Sequence, residues 1–300
     1  MTERSARTRA VSRFAWVTLG YFILVVLWGA VVRATGSGGG CGANWPLCNG
    51  DYFPHHPRLA TMIEFAHRSS SGVCSFLTIA LGVWTFRRTP KGYPARKAVL
   101  WAGFFLVTEA LLGAALVLRH WVEANVSTGR TIAQSIHFTN TLLLMGALAL
   151  TAWFLRGGEA AAEGSKTAAL CAVVATIAVG ATGSLAALAD TLFPSPTLLS
   201  ALRADLAAGA PVLVRMRWLH PAAAAIGFVC VVWLLRGVRW NTVSKAVAGL
   251  LAMQFLLGVA DVILLAPTWM QVLHLLGADL YWVALVVLAA GVVWGCHSSR

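Results

Sequence analysis

Charge is what this chain has least of. Asp, Glu, Lys and Arg make up 11 % of its 300 residues, where a soluble domain carries about 25 %. That shortage excludes an ordinary water-soluble globule. Acids are scarcer still, 11 against 23 Lys and Arg, which leaves a net charge of +12. An excess of that size can signal nucleic acid, but no basic face or aromatic–basic module runs through the sequence, so no nucleic-acid partner is expected. The glycine-rich stretch Gly36-Ser-Gly-Gly-Gly-Cys41 has no strand–helix unit around it, which excludes a dinucleotide fingerprint.

Apolar residues are abundant instead. They form 58 % of the chain, the mean hydropathy is +0.74, and they fall in blocks of roughly 20, the length that crosses a bilayer. Eight spans are predicted, at about 14–33, 60–86, 97–119, 131–155, 166–188, 214–236, 244–265 and 269–294. The expected fold class is therefore an all-α integral membrane protein with eight transmembrane helices. Arginines 4, 7, 9 and 13 precede the first apolar run as in a signal peptide. The run is too long for a typical signal core, so an uncleaved first span is expected.

Lys and Arg set the orientation. Fifteen of the 23 cations fall on one side: the N-terminal arginines, Arg87, Arg88, Lys91, Arg96, Lys97, Arg156, Lys166, Arg236, Arg239, Lys245 and Arg300. Both termini are thus expected in the cytoplasm of a multi-pass plasma-membrane protein.

The chain repeats itself at half length. Arg33-Ala-Thr-Gly-Ser37 is matched by Gly180-Ala-Thr-Gly-Ser184, and His67 by His220. Glu109-Ala-Leu-Leu-Gly113 is matched by Gln254-Phe-Leu-Leu-Gly258, and Gln134-Ser-Ile-His137 by Gln271-Val-Leu-His274. An even number of spans per half gives a parallel repeat about an axis along the membrane normal. Two pseudo-symmetric four-helix bundles follow, residues 1–155 and 167–300, joined by a cytoplasmic linker at 156–166.

Spans two, four, six and eight all enter from the outer face. His67, His137, His220 and His274 each lie within roughly two turns of that entry, on the order of 10 Å deep. Each bundle thus brings two histidines on different helices to one level, the arrangement a haem needs for two axial ligands. Zinc would require a third or fourth ligand, and no Cys or acid repeats at that depth. The plainer alternative is four histidines hydrogen-bonded to neighbours. Arg33 lies at the outer end of span one, Arg68 follows His67, and Arg217 precedes His220 by three residues. They are candidate partners for haem propionates, with headgroup anchoring as the alternative. Glu64 shares a helix face with His67, three residues away, and ionisable groups at that depth are costly.

The first outer loop carries Cys41 and Cys48, seven residues apart and facing an oxidising compartment. A disulfide, structural or redox-active, is expected there, with two free thiols as the alternative. Cys74, Cys171, Cys230 and Cys296 sit in or near apolar segments and are expected only to pack. Between spans five and six, Thr197–Ala208 reads as a short amphipathic helix on the outer surface.

Taken together, Arg33-Ala-Thr-Gly-Ser37, the loop from Cys41 to Trp45-Pro46-Leu47-Cys48, Glu64-x-x-His67-Arg68 and the three later histidines resemble the haem A synthase family over nearly the whole chain. The resemblance implies oxidation of a ring methyl of haem O to a formyl group by successive hydroxylation, giving haem A for terminal oxidases. It assigns the N-terminal half, with His67 and His137, to the substrate haem. It assigns the C-terminal half, with His220 and His274, to a haem b cofactor. Glu64 becomes the candidate catalytic acid, a proton carrier or a stabiliser of positive charge, against a plain salt bridge to Arg33 or Arg68. Glu109 is expected to hydrogen-bond between helices rather than line the substrate pocket. The implied partners are haem O, the haem O-forming farnesyltransferase, a terminal oxidase and the lipid bilayer. Some family members carry a second cysteine pair in the C-terminal half, which this chain lacks. Two other classes would use the same histidines: a di-haem cytochrome b taking electrons from quinol, and a haem transporter or chaperone.

Overall fold

The computed structural model describes residues 3–158 and 164–294, with side chains from residue 8 onward. Residues 159–163 of the expected linker, with Glu159 and Glu163, and also Cys296 and Arg300 lie outside the described residues. The helices are α1 (Glu3–Ala34), α2 (Leu59–Arg88), α3 (Pro94–Leu118), α4 (Thr128–Arg156), α5 (Lys166–Leu192), α6 (Leu198–Leu206), α7 (Val212–Arg215), α8 (Leu219–Gly237), α9 (Thr242–Ile263) and α10 (Thr268–Trp294). Eight stretches are long and apolar enough to cross a membrane, with Val212–Gly237 counted as one. Each matches a predicted span. Among the described residues there is no strand beyond one antiparallel bridge between Cys48 and Asp51. The protein is thus an all-α, multi-pass membrane protein.

Helix ends follow local chemistry. Pro94 occupies the first turn of α3, where its missing N–H costs nothing. Ser127 caps α4 and Ser165 caps α5 through their hydroxyls. Thr197 with Ser200, and Asn241 with Ser244, form reciprocal capping boxes on α6 and α9. α6 lies where the amphipathic helix was expected, with Leu199, Leu202 and Leu206 exposed.

Two ends depart from the predicted spans. α1 begins at Glu3, well before the apolar run, because the arginine-rich segment is itself a good helix former. The sixth span is broken at Met216–Trp218. Pro221 has no N–H to give the Arg217 carbonyl, and His220 N–H donates there instead at 3.2 Å. This tightens the turn that carries His220.

Packing places α4 and α10 at the centre. Of the most apolar stretch in each helix, 72 % is buried in α4 against 11 % in α9. In the N-terminal half α1 packs on α2, α2 on α3, α3 on α4 and α4 back on α1. In the C-terminal half α5 packs on α8 and α10, and α9 on α10, while α8 and α9 only graze. α4 then packs on α5 and α10, and α1 on α10. The buried side chains there include Leu144, Met145, Leu148, Leu285 and Leu288. Polar ties are few and specific: Trp282 Nε1 donates to the Leu142 carbonyl at 2.8 Å, and Ser12 Oγ to the Ala152 carbonyl at 3.1 Å.

Candidate functional site

Each of the four histidine rings rests on a glycine of a neighbouring helix. A Cβ on Gly29 of α1 would lie 3.0 Å from His67 Cε1, and one on Gly113 of α3 would lie 3.9 Å from His137 Cε1. In the C-terminal half the distances are 2.9 Å from Gly183 of α5 to His220 Cε1 and 3.4 Å from Gly258 of α9 to His274 Cε1. The missing side chains let the Cε1 edge of each ring come close to the next helix. Gly113 and Gly258 end the matched Glu109 and Gln254 motifs. Gly29 and Gly183 do not sit at matched places in the sequence repeat: Gly183 aligns with Gly36, seven residues or about two turns beyond Gly29. The rings reveal this register and the motif does not.

His220 and His274 face one another with ring centres 6.4 Å apart and planes at 80°. Two imidazoles on opposite sides of one metal have centres about 6 Å apart, from two bonds of about 2 Å and roughly 1 Å from nitrogen to ring centre. The pair therefore fits an iron porphyrin held axially. His220 Nδ1 is engaged by the Val179 carbonyl at 3.1 Å, which leaves Nε2 for a ligand. His67 and His137 lie within electrostatic reach of each other, and His67 Nδ1 is buried without a hydrogen-bond partner. Among the described residues no three His, Cys, Asp or Glu gather as a bare metal cage.

The three arginines proposed for propionates are each engaged by protein acceptors. Arg68 binds Glu64 Oε1 through Nη2 at 2.5 Å and Nε at 3.0 Å, and its Nη1 donates to the carbonyls of Asn44 and Leu47 at 2.6 and 2.7 Å. Arg217 pairs with Asp190 at 3.0 Å and Asp205 at 3.5 Å, and donates to the Phe193 carbonyl at 2.8 Å. Burial pushes the Asp205 carboxyl up, and Arg217 draws it back down. Arg33 crosses between halves, donating to the Ala187 carbonyl at 2.7 Å, Thr191 Oγ1 at 2.5 Å and Gln271 Oε1 at 2.7 Å. Arg217 holds the loop after α5 onto the turn that carries His220.

Glu64 is buried at 3 % exposure. Its Oε2 accepts the Cys41 backbone N–H at 2.7 Å while Oε1 takes Arg68. Cys41 and Cys48 are disulfide-bonded. Thr61 Oγ1 donates to the Gly40 carbonyl at 2.7 Å, and a Cβ on Gly40 would strike the Ala60 backbone. The outer loop is therefore fastened to α2 on the turn before His67. Cys74, Cys171 and Cys230 are free thiols. Glu109 bonds between helices, as expected, taking Asn140 Nδ2 at 2.6 Å and Thr141 Oγ1 at 2.5 Å. It also reaches His137, with Oε1 3.5 Å from Nδ1, a contact that its sequence spacing did not signal. Asp190 was not singled out, and Gln271 only as part of the repeat: Asp190 meets Arg217 in the turn before α8, and Gln271 meets Arg33 of α1.

Fold and site define a class: an α-helical membrane protein with a facing pair of histidines, His220 and His274, among its spans. Residues 12–286 match the family described as Cytochrome oxidase assembly protein. The chain belongs to that family, the one to which the haem A synthase resemblance pointed. It is 44 % identical over 297 residues to the Protoheme IX farnesyltransferase of Thermus thermophilus, a match covering 94 % of this chain and 49 % of that protein. It is 33 % identical over 144 residues to the Heme A synthase of an Exiguobacterium species, covering 48 % of this chain and 45 % of that one. With the Heme A synthase of Symbiobacterium thermophilum the identity is 36 % over 140 residues, 47 % of this chain and 43 % of that one. The chain spans about half the length of the curated relatives it matches.

Proposed function

We propose that this protein is a haem A synthase, an oxidoreductase that converts a ring methyl of haem O to the formyl group of haem A for terminal oxidases. The observation that carries the reading is the facing pair His220 and His274 at 6.4 Å in a chain of this family. The N-terminal half, residues 1–155, takes the substrate haem between His67 and His137. The C-terminal half, residues 167–300, holds haem b between His220 and His274, with 156–166 as the linker. Haem b held by His220 and His274 would supply a one-electron carrier.

The chain's own residues orient and insulate. Gly29 and Gly113 leave room for the Cε1 edges of His67 and His137. Glu64 places a carboxylate one turn from His67, and its pairing with Arg68 and the Cys41 N–H holds it there as an anion. In this reading that charge steadies positive charge as the methyl is oxidised, or takes up a proton and carries it away, which makes Glu64 the catalytic carboxylate. The C-terminal half offers Arg217 at the matching place, which favours chemistry in the N-terminal half. The methyl-to-formyl change adds one oxygen and removes two hydrogens, through two hydroxylations at one carbon and loss of water.

The same reading places the protein in the plasma membrane with both termini cytoplasmic, by the bias of Lys and Arg. A lipophilic substrate favours hand-over from the haem O-forming farnesyltransferase. The test is an acid–acetone extract of membranes making haem O, with and without this chain, resolved by chromatography and mass. Haem A appearing only with the chain is the expected result. Haem O persisting unchanged while the protein is present and haem-loaded would overturn the reading in favour of an electron carrier.

A further inference from the structure

One pair of side chains behind the histidines is left unused by this reading. Glu109 on α3 and Gln254 on α9 occupy the same place in the two halves, each four residues before the glycine on which a histidine ring rests. Glu109 Oε1 lies 3.5 Å from His137 Nδ1. The Gln254 amide lies 3.2 Å from His274 Nδ1. The frameworks differ in what they hold. Glu109 is braced from both sides, with Oε2 taking Asn140 Nδ2 at 2.6 Å and Oε1 taking Thr141 Oγ1 at 2.5 Å. Asn140 in turn donates to the Phe105 carbonyl at 2.8 Å and accepts from Thr108 Oγ1 at 2.7 Å. This fixes the carboxylate toward α4. Gln254 bonds with α10 alone: in the orientation that satisfies both ends, its nitrogen faces the ring and the His274 carbonyl while its oxygen accepts from Ala278 N–H at 2.9 Å.

A histidine that gives Nε2 to a metal carries its proton on Nδ1, and the acceptor there sets how strongly the ring donates to the metal. A carboxylate can only accept, and it draws on the Nδ1–H strongly. An amide whose nitrogen faces the ring accepts nothing from Nδ1–H, and one turned to offer its oxygen is the weaker acceptor of the two. At 3.5 Å this is a close contact, and His137 Nδ1 has no hydrogen-bond partner; a movement of about 0.7 Å would bring it to the roughly 2.8 Å of a charge-assisted bond.

We propose that Glu109 is a positioning residue that lowers the reduction potential of the iron held by His137, and that Gln254 leaves the iron held by His274 at a higher one. The proposal rests on the reading in which these histidines are the axial ligands. It makes the two haem sites unequal through a single carboxylate-for-amide difference behind otherwise matched rings.

The test exchanges the two residues in the full chain, purified in detergent from membranes that make haem O, so that both halves are loaded. Potentials are read by spectroelectrochemical titration. A tenfold change in preference for ferric over ferrous iron is about 59 mV for a one-electron couple, and loss of such an outer-shell partner costs about 10–100-fold in metal affinity. Glu109→Gln should raise the N-terminal potential, and Gln254→Glu should lower the C-terminal one, each by at least one such tenfold step and each leaving the other haem unmoved. If Glu109→Gln sheds the N-terminal haem, the Gln254→Glu arm decides alone. Unmoved potentials in either variant that retains its haem, even with altered thermal stability, would overturn the proposal and leave Glu109 a helix brace. His137→Ala and His274→Ala separate this from failure of the underlying reading: if each keeps both haems, the ligand assignment itself falls.

Discussion

The glycines beneath the histidines give the sharpest quantitative expectation. Adding a methyl at Gly183 places a carbon 2.9 Å from His220 Cε1 and 3.1 Å from Nδ1, where ordinary contact begins at 3.4 Å. The ring must retreat by roughly half an ångström, and its Nδ1 is tethered to the Val179 carbonyl. A ring that also ligates iron cannot retreat without weakening that bond. Overpacking of this kind costs about 1–3 kcal/mol, or roughly 5–150-fold in an equilibrium constant. Gly183→Ala should therefore lose haem from the C-terminal half by a factor in that range. Gly113→Ala, whose methyl would lie 3.9 Å from His137 Cε1, should retain the N-terminal haem. Gly29→Ala at 3.0 Å and Gly258→Ala at 3.4 Å should fall between, in that order of severity. The assay is haem per protein by pyridine haemochrome after detergent washing, with thermal unfolding of each variant alongside. Equal loss from Gly113→Ala and Gly183→Ala, or full retention by Gly183→Ala at unchanged stability, would refute the argument that these rings are seated by missing side chains.

The other expectations can be tested in the same preparations. His220→Ala or His274→Ala should strip haem b; a variant keeping a full low-spin b-type spectrum would exclude that pair as ligands. Glu64→Gln removes the charge and also leaves an NH2 facing either the Cys41 N–H or Arg68, so Thr61→Val, which loosens the same loop at Gly40, is its control. Haem A should fall sharply in Glu64→Gln, with haem O or a hydroxylated intermediate accumulating, and survive in Thr61→Val; equal loss in both would assign Glu64 to loop anchoring alone. Rapidly trapped, non-reduced protein should show no free thiol at Cys41 or Cys48 by mass spectrometry. Cys41→Ser should cost the loop roughly 2–3 kcal/mol of closure entropy, read as faster proteolysis between residues 41 and 58; an unchanged digestion rate would count against that role.

The spans and the four histidines were legible in the sequence because bilayer length and the cost of intramembrane polarity constrain each segment independently of the rest. Partners were not. Arg33 lies next to a glycine-rich loop in sequence, yet its acceptors are Ala187, Thr191 and Gln271, on helices from the other half. Nothing local in the chain distinguishes it from Arg68, which stays with its own helix and loop. The seven-residue slip between the sequence repeat and the ring-bearing glycines has the same origin. Ala-Thr-Gly-Ser is a short match between small residues, whereas the ring contact depends on where two helices cross. The interruption before α8 is legible in hindsight from Pro221, one residue after His220. Apolar length alone carries no trace of it.

The indole of Trp282 on α10 and the Leu142 carbonyl on α4 meet at 2.8 Å, and Trp282 also lies against Gly146. These positions are 140 residues apart, so a ribosome has delivered α4 to the membrane well before its cover exists. α4 is the most buried span, yet it carries Arg130, Gln134, His137 and Asn140 along its outer half. Until α10 arrives, that helix has only the earlier spans, α5 among them, and lipid to lie against. The N-terminal half is thus finished by a helix from the C-terminal half. A nascent chain arrested before residue 268 would hold an incomplete first bundle, exposed to membrane quality control however well its own four spans had been inserted.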